Sequence, residues 1–464
     1  MNRQQTPRQR NSNVVQIVAD FYNVCFAVFR EFCEKSNIHG VKYVFSKRLH
    51  PLERLMWLGC LIATCYGAYS ISSKQYERYV ANPTVISLER DYRDWNGTLP
   101  ALSVCYHRRV DEARAQYLIK RLWNIEKPDD EYKYFLDYVK AVVNINESHS
   151  KFNRFANDKR LEYISMLTIA KEVHPVINSV ISSFDTNAEF PMKEIITEKG
   201  ICYSVNSIIS LLIETSSKGK TINLNTKPLS CFFLKNQCYM KLDVYDPTVF
   251  ISIHSPYEIP SDNTQFFTMG MTDEIESTYN MLETISSDAL RKLNTDQRKC
   301  LFIDESIHQL PVYSYNTCNL VCRAKAALKL CNCRPYYYPF MNGTSCSPAG
   351  LLCLDVNNWP QSTGMCGCAK TCVEIVYTQN SLKKINWAVD GGIPFTQKSS
   401  FRYEILAPRL RLRRDVLFSY DDLIVSFGGV AALFLGYNFW GTSEMVYFLL
   451  KIIVKNVYKI LTRH

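Results

Sequence analysis

The sequence predicts an α+β class protein: a large disulfide-rich extracellular α+β domain between two transmembrane helices. Three observations predict it. Two apolar stretches stand near the ends of the chain, 14 of its 18 cysteines fall between them, and the intervening residues alternate short strand patterns with polar helical ones. Composition says less. The 464 residues suffice for two or three domains, 21% are charged, and the net charge of +10 is spread along the chain. That spread argues against a nucleic-acid partner, and no internal repeat or low-complexity segment is present.

The first apolar stretch is "LMWLGCLIATCYGAYSISS", 19 uncharged residues over 55–73. At about 1.5 Å per residue it just spans a hydrocarbon core of roughly 30 Å. The lead of residues 1–54, with Lys47, Arg48 and Arg54 at its boundary, is too long for a cleaved signal peptide. A signal-anchor helix with a cytosolic N-terminal tail is expected; a buried core helix is the alternative.

The second stretch covers 423–450 and holds one carboxylate, Glu444. Lys451, Lys455, Lys459 and Arg463 follow in the tail 451–464. The positive-inside rule then places both termini in the cytosol and residues 74–422 outside. Arg409, Arg411, Arg413 and Arg414 alternate with Leu410 and Leu412, a strand pattern rather than a membrane flank.

Cysteine placement agrees. Cys25 and Cys33 lie in the tail, Cys60 and Cys65 in the first span, and the even remainder lies in the external segment, as an oxidising compartment requires. The sequons Asn96-Gly-Thr, Asn146-Glu-Ser and Asn342-Gly-Thr fall in the same segment and are expected to be glycosylated. From Cys318 to Leu330 no Gly or Pro interrupts a helix-favouring run. Cys318 and Cys322 would stand one turn apart, about 6 Å, and two same-side cysteines of an extended segment stand about 6.6 Å apart. An antiparallel staple of Cys318–Cys368 and Cys322–Cys366 follows. Continuing the nesting gives Cys300–Cys372 outside it, with Cys331–Cys353 and Cys333–Cys346 inside. Zinc is the competing reading of the C-x-C spacings, disfavoured without clustered histidines, so no metal site is expected. Cys231 and Cys238 can close a small loop, leaving Cys105 to reach Cys202, although spacing alone leaves that connectivity open. "TINLNTK", "CYMKLDVY" and "TVFISIH" read as short strands.

Several of these segments resemble one family. "SNIHGVKY" is similar to the His-Gly gating motif of the degenerin/epithelial sodium channel family, placing it at His39-Gly40. "LPALSVC" is a variant of its F-P-x-x-T-x-C, and "GICYSVNS" resembles its Gly-x-Cys-Tyr strand. "RKCLF", "YSYNTCNLVC", "CNCRPYYYP" and "CGCAKTC" match its cysteine-rich thumb in order and spacing, and "RLRRDVLFSYDDLIVSFGG" its approach to the second helix. The arthropod pickpocket branch is the most similar. The resemblance implies a trimeric channel with seven ectodomain disulfides, including a bond between the positions matched by Cys105 and Cys202. It departs at Cys231–Cys238: the family's small-loop pair precedes the Gly-x-Cys-Tyr strand, whereas this one follows it.

The second span carries the expected site. Gly428, Ala432 and Gly436 recur every fourth residue, a spacing that brings helix backbones close in lipid. Plain helix dimerisation would explain them, but polar residues continue past the small face, and such groups usually face water or a bundle interior. Gly436-Tyr437-Asn438 aligns with the family's Gly-x-Ser selectivity filter, where a ring of carbonyls and polar side chains replaces part of an ion's hydration shell. Gly429 and Val425 join the expected pore and gate; Val425 stands where the family usually has a small residue, and bulk there favours the open state. On a continuous helix Glu444 would lie about 12 Å below Gly436, its carboxylates attracting cations, with capping near Lys451 as the alternative role. Tyr437 and Asn438 depart from the family's pattern.

The resemblance implies a plasma-membrane subunit of an amiloride-type, sodium-permeable channel, gated by an extracellular ligand or a mechanical stimulus. Its partners would be related subunits in a homo- or heterotrimer, membrane lipid and an unidentified extracellular ligand, with sodium as the permeant ion and no cofactor. A non-conducting auxiliary subunit and a signal-anchored cell-surface receptor are the alternatives. No GxSxG, HExxH, P-loop or G-x-G-x-x-G is present, so no enzyme is expected.

Overall fold

The computed structural model describes residues 22–461 apart from 24, 37, 91–95, 146–148, 186–189, 218–226, 247, 262–263, 306–309, 311, 362–365, 388–397 and 409. The chain divides into two compact units, residues 86–415 and a second one formed by 1–85 with 416–464.

The larger unit is α+β. Its seven-stranded sheet runs in the order Thr84–Glu89, Arg411–Val416, Asp273–Ser286, Ser399–Leu406, Tyr239–Val244, Ser179–Ser183, with Glu374–Asn386 also paired to Asp273–Ser286. Alternate residues of Tyr239–Val244 and Asp273–Ser286 are buried, the period expected when one sheet face is covered. Asp273–Ser286 and Glu374–Asn386 pair antiparallel from Asp273↔Asn386 to Thr284↔Glu374, with an irregularity at Thr278/Tyr279. A five-stranded antiparallel sheet, in the order Phe267–Met269, Val249–His254, Ala101–Tyr106, Gly200–Val205, Lys193–Thr197, has Ala101–Tyr106 buried along its whole length. Leu102, Val104, Met240, Leu242, Ile275, Phe401 and Tyr403 form the core shared by the sheets. A second core gathers the helical residues Phe135, Tyr138, Phe152, Phe155, Leu320 and Ala324 around Tyr336 and Tyr338.

Seven disulfides close: Cys105–Cys202, Cys231–Cys238, Cys300–Cys372, Cys318–Cys368, Cys322–Cys366, Cys331–Cys353 and Cys333–Cys346. Cys105 stands directly opposite Cys202 in neighbouring strands, with Cα atoms 4.4 Å apart. Helix Tyr315–Cys331 carries the staple and begins at a capping box between Ser314 and Thr317. The staple's other side differs from the extended segment expected. Cys366 and Cys368 lie in irregular backbone ahead of the short strand Lys370–Thr371, and the Cys368 N–H donates to the Cys366 carbonyl at 2.7 Å. This tight local turn, not a pleat, sets the two sulfurs for the helix. Tyr239–Val244 and Val249–His254 occupy two of the three expected strand segments; residues 221–226 of the third lie outside the described residues.

The smaller unit is helical, and its first helix is longer than the apolar count of 55–73. Pro51–Ala81 runs 31 residues, started by Pro51 and by His50 Nδ1, which accepts from the Leu52 N–H at 3.3 Å. It extends beyond Ser73 because the polar turns up to Ala81 contain no breaker. This helix alone is long and apolar enough to cross a membrane, among the described residues. The second apolar stretch is not one helix. Tyr420–Leu435 and Phe439–Leu461 are separated by three residues, and Tyr420–Leu435 and Phe439–Lys455 lie at 77° to each other.

Candidate functional site

The break at residues 436–438 is built by local chemistry. Tyr420–Leu435 starts in a capping box, with Ser419 Oγ accepting from the Asp422 N–H at 3.2 Å and Asp422 Oδ2 from the Ser419 N–H at 2.8 Å. It stops at Gly436, whose φ of 66° is the left-handed conformation that glycine adopts at helix ends. The N–H groups of Gly436 and Tyr437 close the last turn on the Ala432 and Ala431 carbonyls at 3.0 and 3.3 Å. Asn438 then starts the next helix: its Oδ1 accepts from the Gly441 N–H at 2.9 Å, an N-cap. Tyr437 lays its ring against Gly441 of the same chain, 3.4 Å from where a Cβ would stand there.

Gly436 is therefore not a third rung of a small-residue seam. It is the helix terminator, and the seam ends with Ala432. The expected 12 Å from Gly436 to Glu444 along one helix does not apply either, because Glu444 lies beyond the bend. Val425, Gly428, Gly429 and Ala432 do share a face of Tyr420–Leu435, spaced i, i+3, i+4, i+7, and all four stand exposed. A Cβ added at Gly428 or Gly429 meets nothing within 4 Å.

The His39-Gly40 turn is seated at the break. The His39 N–H donates to the Leu435 carbonyl at 2.9 Å, and a Cβ at Gly436 would fall 2.5 Å from His39 Nε2. Gly40, with φ 81°, makes the turn into helix Val41–Phe45. Helices Pro51–Ala81 and Tyr420–Leu435 run side by side and antiparallel. Pro83 accepts from the Leu417 and Phe418 N–H groups, Tyr79 meets Tyr420 with ring centroids 6.4 Å apart, and Gly67 lies under Phe434, where a Cβ would come within 2.7 Å of the ring.

Sequence reasoning missed a second contact between the two tails. Phe32 packs edge-on against Phe448 at 5.3 Å, and Lys451 pairs with Glu31 at 2.5 Å. The Lys451 ammonium, and after it Lys35, hold the Glu31 carboxyl down to about 2. Arg30–Glu34 and Glu31–Lys35 pair locally at i, i+4, and nothing in that pattern points to Lys451. Of the sequons, Asn96 and Asn342 are exposed, and Asn146 lies outside the described residues.

A family model described as amiloride-sensitive sodium channel matches residues 32–448, a span that includes the break. The chain belongs to this family. Members of the amiloride-sensitive sodium channel family are ion channels, and this chain is a pickpocket-type relative within it. It is 22% identical to sodium channel protein Nach of Drosophila ananassae, over 92% of this chain and 87% of that one. Against sodium channel protein Nach of Drosophila melanogaster it is 23% identical, covering 95% and 90%. Pickpocket protein 28 of Drosophila melanogaster is 20% identical, covering 90% and 77%. A solved proton-activated chloride channel aligns over 86% of this chain and 96% of its own at 8% identity, with a TM-score of 0.28, a likeness too slight to bear on the fold.

Proposed function

We propose that this chain is a pore-forming subunit of a sodium-permeable, amiloride-type channel in the plasma membrane. The observation that carries the reading is the helix break at Gly436-Tyr437-Asn438 with the His39-Gly40 turn seated on it. Non-helical backbone at membrane depth is tolerable only where it faces a cavity or is buried in protein. In this reading Pro51–Ala81 is one span and the broken pair the other, both tails are cytosolic, and residues 82–419 are external. Three subunits, identical or related, bring their Gly436 carbonyls together as the narrowest ring, and Val425, Gly428, Gly429 and Ala432 line the pore outside it. The stimulus is an extracellular ligand or mechanical force acting through the disulfide-bonded domain. Sodium passes as the permeant ion, and no cofactor takes part.

A second reading has its own support. Asn438 Oδ1 already caps Gly441, so its side chain is engaged in the chain's own helix rather than presented as an ion ligand. An auxiliary subunit that shapes a partner's pore fits that geometry.

Recording currents after expression alone and with related subunits tests the proposal. A sodium current blocked by amiloride supports it, and no current in any combination at verified surface density refutes it. Topology is tested separately. Glycosidase should lower the mass of the wild type, and loss of Asn96, Asn146 and Asn342 should abolish the change.

A further inference from the structure

The external domain holds a cavity of about 640 Å³, within the range of roughly 300–1,000 Å³ usual for small-molecule sites. It lies among the loop after strand Val249–His254, the first turns of helix Tyr315–Cys331 and the start of strand Glu374–Asn386. The walls are tied together: the Ile259 N–H donates to Asn316 Oδ1 at 3.3 Å, and Asn316 Nδ2 donates to Ser261 Oγ at 3.4 Å.

Its chemistry is one-sided. Glu258 and Glu374 line it, and no ion pair or side-chain hydrogen bond answers the half-buried Glu258 carboxylate among the described residues. Arg323 also lines it, but its guanidinium is paired with Glu198 at 3.0 Å. His254 is committed to Ser103 Oγ at 2.8 Å and the Ser255 carbonyl at 2.9 Å. Burial pushes its imidazole down to about 4, so it adds no charge near neutrality. Arg414 lies close enough to feel Glu374. Tyr257, Tyr313 and Tyr377 add aromatic surface, the last two with hydroxyls bonded to the Ala369 and Thr98 carbonyls at 2.5 and 2.8 Å. Aromatic rings beside an unanswered carboxylate suit a cation with an apolar body. The volume far exceeds a bare metal ion, and no cluster of metal-ligating side chains is present among the described residues.

We propose that this cavity binds a small organic cation, an ammonium or guanidinium group on an apolar body, with Glu258 as its counter-ion. Such a ligand would bridge the stapled helix and the long strand of the seven-stranded sheet. Burial, and after it Glu374, push the Glu258 carboxyl up to about 7, so the anionic form that binds grows in as pH rises from 6 to 8.

The test is calorimetric titration of the purified full chain in lipid nanodiscs, with phenethylamine as the probe and 2-phenylethanol as its neutral counterpart. Phenethylamine should bind saturably, at least tenfold tighter than the alcohol, and tighter at pH 8 than at pH 6. Glu258→Gln should weaken it tenfold or more, Glu374→Gln less, while the alcohol is unaffected. Equal affinity for amine and alcohol, absence of binding, or full amine affinity in a folded Glu258→Gln protein would overturn the proposal. Should Glu258→Gln not fold, the pH dependence of the wild type and the Glu374→Gln titration decide. The readout needs no current, so its failure is distinct from failure of the channel reading.

Discussion

His39 and Gly436 touch across the helix break: a Cβ on Gly436 would fall 2.5 Å from the His39 Nε2 atom, and the His39 N–H holds the neighbouring Leu435 carbonyl at 2.9 Å. The His39-Gly40 motif and the expected filter thus form one structural element, and a change in either is expected to reach the other.

The two glycines of this element should fail differently. Gly40 has φ 81° but open space where a methyl would stand, so Gly40→Ala costs only the left-handed backbone, about 1–2 kcal/mol. Gly436→Ala meets both φ 66° and the His39 ring. Current at equal surface density should fall moderately for Gly40→Ala and severely for Gly436→Ala. His39→Ala should recover part of the Gly436→Ala loss; strictly additive effects would show the contact to be incidental.

Glu31 and Lys451 tie the two tails. Glu31 is held ionised down to about 2, so its depressed carboxyl loses the pair only as pH falls toward that value, far below any cellular pH. Lowering the pH from 8 to 6 should leave the pair intact. Glu31→Lys and Lys451→Glu should each alter gating, and the exchanged double variant should restore it. A double variant no better than the singles would remove the pair from the mechanism.

The thumb staple should behave as a unit. Cys318→Ala and Cys368→Ala each open the same bond and should destabilise alike, by about 2–5 kcal/mol, with the double variant little worse. Thermal unfolding of the purified protein and peptide mapping check this. A peptide joining Cys318 to any cysteine other than Cys368 contradicts the structure.

Glu258 gives a pH signature in stability. Its carboxyl is raised from 4.5 to about 7 by burial, then by Glu374, so folding favours its protonated form. The associated stability is present below about 4.5 and lost as pH rises through 7. Glu258→Gln should therefore leave the unfolding temperature unchanged at pH 4 and raise it at pH 8. Each pKa unit is worth about 1.4 kcal/mol, and partial exposure reduces this to a gain on the order of 1–2 kcal/mol. The same shift at both pH values would mean that the carboxylate's charge is not the cause.

Local spacing made much of this structure legible. The Cys318/Cys322 turn, the C-x-C of Cys366 and Cys368 and the strand alternations are short-range patterns, and the fold uses them. The helix break was legible only in part: a glycine at the filter position permits non-helical backbone, but Gly436 also continues a four-residue small pattern and hydropathy carries no sign of a φ of 66°. Asn438 read as a filter oxygen, whereas its side chain is also a helix cap, and residue type alone does not separate the two. Contacts between the tails, such as Glu31 with Lys451, join opposite ends of the chain and leave no periodic trace.

The central claim is that this chain's own Gly436-Tyr437-Asn438 segment forms the narrowest part of a sodium-conducting pore. Reversal potentials under bi-ionic sodium and potassium conditions test it most directly, in the subunit combination that gives current. Tyr437→Ser, which restores a small residue beside Gly436 without touching the Asn438 cap, should shift the sodium-to-potassium permeability ratio at unchanged surface density. Unchanged selectivity in that variant, with a clear shift from the matching substitution in a partner subunit, would contradict the account and assign this chain to the auxiliary role.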